Sequence, residues 1–234
     1  MAPDQPIVDA FKSVSTATLT TVLFRMGLKN VWLRGPRPLV AGQDRVAGRA
    51  FTLRFVPLRE DLSAQGNTSS NSNRAAVESM PEGCVCVAGA PGATDVGIFG
   101  DILCARMQRR GVAALVTDGA LRDGDGIGAT GLPSWSAGVA SAPWMTRLSF
   151  IGWQQTVECG GVTIVPGDFI VADGDGVVVV PAAMASQVAE SALDQERLES
   201  WVLKEVNAGQ GLIGLYPPDA SNRTRFESER GPRK

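Results

Sequence analysis

The chain has 234 residues, of which 22 are Lys or Arg and 24 are Asp or Glu, and it contains no histidine. Without an imidazole, neither a Ser-His-Asp or Cys-His nucleophile nor a His-rich catalytic zinc site can form, so any proton transfer uses other groups. The formal net charge of −2 gives no overall attraction to nucleic acid, and we expect no nucleic-acid partner.

The first elements predicted along the chain are helical. The N-terminal residues lack the basic and apolar regions of a signal peptide, and no apolar run approaches the roughly 20 residues that span a bilayer. We therefore expect a cytoplasmic protein without a membrane partner. Apolar side chains at helical spacing predict a helix over residues 7–26 that ends at Gly27, with a break at Ser15–Thr16, where a serine can cap a second segment.

The next segments are predicted as a loop, a strand and a second loop. Residues 30–50 are rich in glycine, proline and arginine, which is typical of a loop. The alternation of apolar and polar side chains in Ala47–Val56 predicts a strand. Residues 59–74 are polar and turn-rich, which indicates a surface loop or a short helix.

The middle of the chain has the pattern of a β-loop-α-β unit. Gly83–Gly89 and Val112–Thr117 are predicted as buried strands because both are short apolar runs. Between them lie the glycine-rich connection Ala90–Gly100 and the helix Asp101–Arg110, which begins with an acidic and ends with a basic residue. The two strands should therefore be parallel, with a right-handed crossover.

After Pro133 the chain is predicted to be rich in strands up to a long helix over 182–207, which Gly209 ends. We therefore expect one domain over residues 1–216. The polar segment 217–234 is predicted to be a loose tail.

The start of the predicted helix is one candidate binding site. In open α/β sheets, ligands bind at the carboxyl ends of parallel strands. The free N–H groups of Gly100, Asp101, Ile102 and Leu103 would favour a carboxylate or a phosphate there. The alternative is a simple loop-to-helix junction capped by Asp101. The residues alone leave both interpretations open.

The loop Asp118–Gly126 is the second candidate. Arg122 could pair with a substrate carboxylate through two parallel hydrogen bonds. Asp123 could hold a divalent cation whose other ligands are water or substrate, as Mg²⁺ prefers. The alternative is that Asp and Gly occur here because turns favour them, and on the residues alone this alternative is the stronger one.

Six short motifs stand in order along the chain: GDIL at 100–103, RGVA at 110–113, VTDGALRD at 116–123, PGD at 166–168, ADGDGV at 172–177 and VVVP at 178–181. Together they resemble the RraA-like family over residues 10–215. That family includes class II 4-hydroxy-4-methyl-2-oxoglutarate/4-carboxy-4-hydroxy-2-oxoadipate aldolases, which also decarboxylate oxaloacetate, and regulators of ribonuclease activity. The resemblance implies an α/β protein with the β/β/α fold of the swivelling phosphohistidine domain. It also implies a homotrimer or homohexamer with active sites between subunits.

The resemblance also implies roles for individual residues. The backbone amides of Gly100–Leu103 would bind the carboxylate of a pyruvyl group, and Arg122 would bind the same group and stabilise its enolate. Asp123 would hold Mg²⁺ or Mn²⁺, while Asp101 would position a water molecule of the metal's shell.

A glutamate from the C-terminal helix of a neighbouring subunit would assist this water, by the same resemblance. Glu199 fits best by its spacing from Val180–Pro181, and Glu196 is the second choice.

The implied function is that of a metal-dependent lyase acting on a small 2-oxo acid. A base removes the C4-hydroxyl proton of a 4-hydroxy-2-oxo acid, the C3–C4 bond breaks, and pyruvate enolate leaves. The same enolate forms when oxaloacetate loses CO₂. The presence of Arg122, Asp123 and Asp101 favours an enzyme. The alternatives are a non-catalytic regulator of RNA degradation, and a lyase or dehydratase that uses the same site on sugar acids.

Overall fold

A computed structural model describes residues 4–61 and 70–229 of the chain. The α/β class predicted from the sequence is confirmed, because a curled mixed sheet forms the centre and helices flank it. In chain order the strands are β1 (Arg37–Pro38), β2 (Val46–Pro57), β3 (Val85–Gly89), β4 (Ala114–Thr117), β5 (Ser134–Ser136), β6 (Leu148–Trp153), β7 (Val157–Cys159), β8 (Val162–Ile164), β9 (Phe169–Asp173) and β10 (Gly176–Val180).

Seven α-helices lie within the residues that the structure describes. In chain order they are α1 (Gln5–Ser13), α2 (Thr16–Arg25), α3 (Asn73–Ser79), α4 (Asp101–Arg109), α5 (Gly124–Thr130), α6 (Ala185–Asn207) and α7 (Ala220–Glu229). Two short 3₁₀ helices, Trp144–Thr146 and Ala182–Met184, precede β6 and α6.

The long strand β2 organises the sheet. The strand order is β1-β5-β4-β3-β2-β9-β10, and β6 also pairs with β2. The first half of β2 pairs antiparallel with β9, whereas its second half lies between β3 and β6. β3 and β4 are parallel and joined through α4, as the sequence predicts. The carboxyl ends of β3 and β4 therefore lie at one edge of the sheet, and the start of α4 lies near them.

Both faces of the central sheet are buried. Because side chains alternate along a strand, Cys86 and Ala88 of β3 point into a cluster that also contains α3 and α4 side chains. Val85 and Val87 point to the opposite side, into a cluster covered by the β7–β8 hairpin. A third cluster joins α1, α2 and α6 to β9 and β10.

The two N-terminal helices are separated by the break that the sequence predicts. The Ser15 hydroxyl accepts a hydrogen bond from the Thr18 N–H at 3.0 Å and so caps α2. Across the described ranges, no single helix has the length and apolarity that crossing a membrane requires; α1 and α2 reach those limits only together, with a bend of 108° between them.

The prediction of a loose tail over 217–234 is wrong for the residues of α7. Phe226 of α7 is 5% exposed and packs on Trp201 of α6, with ring centroids 5.7 Å apart. Arg225 pairs with Glu205 of α6, which adds a polar link between the two helices. The sequence hides this contact because α7 is otherwise polar and has a single large apolar side chain.

The segment 59–74 is described only in part. Residues 62–69 lie outside the described residues, so the predicted loop or short helix stays untested there. After them, the Ser72 side chain caps α3, which begins at Asn73 and leads to β3.

Candidate active site

The site residues predicted from the sequence, with the exception of Glu199, line one cavity. It has a volume of about 420 Å³ and lies between α3, the start of α4, the connection from β4 to α5, and the 3₁₀ helix Trp144–Thr146. The predicted residues at its wall are Gly100, Asp101, Ile102, Leu103, Arg122 and Asp123. The parallel arrangement of β3 and β4 brings these two segments together, since each segment follows one of the strands.

The start of α4 presents backbone N–H groups to the cavity. Gly100 is the N-cap residue and provides no side-chain cap. The Asp101 carboxylate accepts a hydrogen bond from the N–H of Ile102 at 2.7 Å, so one of the four amides is already engaged. The amides of Gly100, Asp101 and Leu103 have no side-chain acceptor among the described residues, and the positive end of the helix dipole adds to their attraction for an anion.

Arg122 and Asp123 form an ion pair beside the start of α4. The Arg122 Nε donates to Asp123 Oδ2 at 3.2 Å, and both side chains are a little under half exposed. Asp123 has a φ of 57° and a ψ of 44°, the left-handed conformation, and its carboxylate makes no cap bond to α5. Such a backbone costs about 1 kcal/mol or more for a non-glycine residue and is found at functional sites. The conformation turns the carboxylate toward Arg122.

Two glycines allow the Arg122–Asp123 pair to approach α4 closely. A Cβ atom on Gly100 would lie 2.7 Å from Asp123 Oδ2 and 3.2 Å from Arg122 Cγ. A Cβ on Gly97 would lie 2.8 Å from the backbone nitrogen of Arg122. The Arg122–Asp123 pair can therefore lie this close to α4 only because both positions lack a side chain. This close approach places the Asp123 carboxylate beside the start of α4.

The Asp118 side chain links the loops that follow β3, β4 and β7. The Asp118 side chain accepts hydrogen bonds from the N–H groups of Ala90 at 2.7 Å and Gly160 at 3.0 Å. It thus connects the end of β3, the end of β4 and the turn between β7 and β8. Burial raises the pKa of the Asp118 carboxyl above its ordinary value of 3.8, although both hydrogen bonds act in the opposite direction. The sequence suggested only a turn residue at this position.

The structure corrects one boundary in this region. The predicted loop Asp118–Gly126 ends at Asp123, because α5 begins at Gly124. Gly126 of α5 lies so close to α4 that a Cβ there would be 3.0 Å from the Cβ of Asp101. The packing of α5 against α4 accounts for a helix that a glycine-rich sequence does not favour.

The carboxylates at the cavity fit an ion of the Mg²⁺ type. Asp101 and Asp123 both line it, and Asp123 is partly exposed beside the open volume. Within residues 4–61 and 70–229, no group of three or more His, Cys, Asp or Glu side chains is arranged to bind a metal. Mg²⁺ is commonly held by one or two carboxylates and completes its shell with water and substrate oxygens, so this donor set suits it.

Glu199 and Glu196 do not line this cavity within a single chain. Both lie on α6, where the Glu199 carboxylate accepts hydrogen bonds from Thr18 at 2.9 Å and from Gln195 at 2.7 Å. A role for either glutamate in a neighbouring subunit's site stays a prediction.

The cavity also contains residues that sequence reasoning missed. Asn73 and Arg74 enter it from α3, and Trp144 from a 3₁₀ helix. No motif identifies these residues. The one available signal is the capping serine Ser72, which marks the start of a helix but not the direction in which its side chains point.

The fold and the cavity together define an α/β protein in which a helix N-terminus lies beside an arginine and two carboxylates. Residues 7–179 match the sequence profile of the RraA-like family, described as Aldolase/RraA. The chain therefore belongs to the RraA-like family, as the motifs in its sequence indicate.

Several relatives are similar over much of this chain. It is 34% identical over 151 residues to a Halalkalibacterium halodurans protein named "Putative 4-hydroxy-4-methyl-2-oxoglutarate aldolase". The match covers 61% of this chain and 71% of that protein. It is 27% identical over 176 residues to "Protein DlpA" of Legionella pneumophila, covering 75% of this chain but 28% of DlpA, so it matches less than a third of that relative.

A solved structure is similar over nearly its full length. The structure of Streptomyces coelicolor RraAS2, an unusual member of the RNase ES inhibitor RraA protein family, is 35% identical, with a TM-score of 0.76. The match covers 86% of this chain and 97% of RraAS2.

Proposed function

We propose that this protein is a divalent-metal-dependent lyase that cleaves a 4-hydroxy-2-oxo acid by a retro-aldol reaction and releases pyruvate. The same site would decarboxylate oxaloacetate. The observation that carries the proposal is that one cavity is lined by the first turn of α4 (Gly100–Leu103), by Arg122 and by the carboxylates of Asp101 and Asp123. The names of relatives as aldolases support the same class of reaction.

The chain's own residues account for binding of the 2-oxo acid. Amides at the start of α4 donate to the substrate carboxylate, and the α4 dipole stabilises its negative charge. The Arg122 side chain lines the same cavity beside the start of α4, where it would hold the pyruvyl group and remain close to the enolate oxygen as charge develops. Neither interaction needs a histidine, which the chain lacks.

Asp123 is the residue that would hold a Mg²⁺ or Mn²⁺ ion. When bound, the ion supplies a Lewis acid that polarises the keto group and offsets the negative charge of the enolate. The contact of Asp123 with Arg122 keeps its carboxylate oriented toward the cavity.

Asp101 is the carboxylate for proton transfer. It would hold a water molecule that takes the proton of the C4 hydroxyl and passes a proton to the Asp101 carboxylate, while the C3–C4 bond breaks and its electron pair forms the enolate. Return of this proton to C3 of the enolate then gives pyruvate. The hydrogen bond from the Ile102 N–H fixes the Asp101 side chain for this task.

The first test is pyruvate release measured with a coupled lactate dehydrogenase assay. We expect the purified protein to release pyruvate from 4-hydroxy-4-methyl-2-oxoglutarate and from oxaloacetate. EDTA should abolish both reactions, and Mg²⁺ or Mn²⁺ should restore them. Folded protein that releases no pyruvate from either compound with either metal would contradict the proposal.

A second candidate function is non-catalytic inhibition of a ribonuclease. The similarity to RraAS2, at 35% identity over 97% of that chain, favours it. It predicts binding to an RNase E-type endonuclease that Asp123→Asn leaves intact, together with no turnover of any 2-oxo acid. A panel of sugar acids in the same assay tests the third alternative, a lyase or dehydratase of different substrate class.

A further inference from the structure

One of the two arginines in the cavity has no partner among the residues that the structure describes. Arg74 is an exposed residue of α3 and lines the cavity, yet its guanidinium makes no ion pair or hydrogen bond with any residue that the structure describes. Arg122, in contrast, is engaged by Asp123. The cavity therefore contains a positive charge that none of the described residues neutralises.

An ion-pair cluster links α3 to α4 one helical turn from Arg74. The Glu78 carboxylate accepts two hydrogen bonds from Arg106 of α4, both at 2.8 Å, and a third from Arg110 at 3.3 Å. Arg74 lies four residues before Glu78 and thus on the same side of α3. Arg74 and the first turn of α4, where the proposed carboxylate site begins, line the same cavity.

An asparagine amide lies beside this arginine. Asn73 is 7% exposed, lines the same cavity, and its side chain makes no hydrogen bond within the described part of the chain. Its amide atoms are not among the fully buried polar atoms that lack a partner, so the amide remains open to the cavity. There its N–H groups can donate to oxygen atoms of a bound ligand near α3.

We infer that Arg74, with the Asn73 amide beside it, recognises a carboxylate attached to C4 of the substrate, on the half that leaves. The inference rests on the proposed function and deepens it. The pyruvyl carboxylate is assigned to the start of α4 and to Arg122, so Arg74, which has no partner within residues 4–61 and 70–229, is available for a second anionic group. Arginine binds carboxylates through two parallel hydrogen bonds, which makes it selective as well as attractive.

Two substrates separate this role from the rest of the reaction. In 4-hydroxy-4-methyl-2-oxoglutarate, loss of the hydroxyl proton and cleavage of C3–C4 give one pyruvate enolate, and C4 becomes the keto carbon of a second pyruvate. In 4-hydroxy-4-methyl-2-oxopentanoate, a methyl group replaces the C4 carboxylate, and the same bond changes give pyruvate and acetone. The pyruvyl half is identical in both.

The experiment measures kcat/KM for both substrates with the full-length protein and Mg²⁺. We expect Arg74→Gln to lower kcat/KM for the carboxylate substrate about 10- to 100-fold, and to leave that for the methyl analogue within about twofold. Arg74→Lys, which keeps the charge, should recover part of the loss. Arg109→Gln is the matched control, because Arg109 is an exposed arginine at the far end of α4, away from the cavity.

The outcomes separate two kinds of failure. Equal losses on both substrates, no loss on either, or the same loss in Arg109→Gln would overturn the role of Arg74 and leave the proposed function standing. A folded wild-type protein that releases pyruvate from neither compound would contradict the proposed function, and the inference would fall with it.

Discussion

At the scale of single residues, the candidate site depends on close approach between two loops. Gly100 leaves room for the Asp123 carboxylate, and Asp123 adopts a left-handed backbone that turns this carboxylate toward Arg122. These features act together, since a wider gap or a different backbone would move the carboxylate away from the start of α4. The backbone of Gly100 itself is extended, so its importance is one of space and not of φ.

Replacement of Gly100 by alanine tests this close approach. The new Cβ would meet Asp123 Oδ2 and the Arg122 side chain, so both groups must shift. We expect Gly100→Ala to lower kcat/KM for pyruvate release about 10- to 100-fold while the fold is kept, because small displacements in an active site are costly. The coupled assay and circular dichroism check the two parts of this prediction.

Gly174→Ala is the control for that substitution. No atom lies within 4 Å of the position that its Cβ would occupy, and its φ is not in the left-handed range. Equal activity of the two variants would contradict the steric account.

At the scale of elements, the parallel strands β3 and β4 bring the site together, and Asp118 connects their ends to the β7–β8 turn. The sequence predicts this unit because two apolar runs flank a helix with acid at its start and base at its end. The same rule places Gly100–Leu103 and Arg122 at one edge of the sheet.

Other elements could not be predicted in this way. The sequence of α5, with three glycines in seven residues, has low helix propensity, and its helix depends on packing against α4. Arg74 follows a polar, turn-rich segment, and it reaches the cavity because α3 packs on α4, through buried apolar side chains and the Glu78–Arg106 ion pair. Both features arise from contacts between elements that are distant in sequence.

The buried carboxylate of Asp118 gives a prediction about stability. Asp118→Ala leaves the N–H groups of Ala90 and Gly160 without their acceptor, which should lower the free energy of unfolding by about 2–5 kcal/mol. Asp118→Asn keeps one acceptor oxygen and should lose about half as much. Urea unfolding monitored by circular dichroism measures both values.

The direction of the pKa shift adds a pH dependence. A raised pKa means that the folded protein binds this proton more tightly than the unfolded chain does. The contribution of the protonated Asp118 carboxyl to stability is therefore complete below pH 3.8, the ordinary pKa of the unfolded chain. It is lost as the pH rises through the higher pKa of the folded state. The difference in free energy of unfolding between wild type and Asp118→Ala should shrink as the pH rises through this pKa. A difference that grows with pH would contradict the account.

At the scale of the whole molecule, the C-terminal residues form a separate small cluster. Phe226 of α7 packs with Trp201, Leu198, Val202 and Leu215, away from the candidate active site. The RraA-like profile ends at residue 179, before α6, so this cluster lies outside the region that matches the profile. We propose that the assembly is a homotrimer or homohexamer, which would allow Glu199 of α6 to act in a neighbouring site.

The C-terminal cluster should contribute to stability without affecting catalysis directly. Phe226→Ala removes a nearly buried ring, and we expect the free energy of unfolding to fall by about 2–4 kcal/mol. Ile213→Ala, at a fully exposed apolar residue of the same region, should change it by less than about 0.5 kcal/mol. If Phe226→Ala unfolds at the same urea concentration as wild type, α7 is not a packed part of the molecule.

The most direct test of the central claim is exchange of the methyl protons of pyruvate in D₂O, followed by proton NMR. This measurement reports enolate formation without requiring the second half of any substrate. With Mg²⁺, the wild-type protein should exchange these protons well above the uncatalysed rate. Asp123→Asn, whose asparagine also tolerates the left-handed backbone, should reduce the rate at least about 100-fold, as should EDTA. Folded wild-type protein with no exchange above background, or exchange unchanged in Asp123→Asn and in EDTA, would contradict the account.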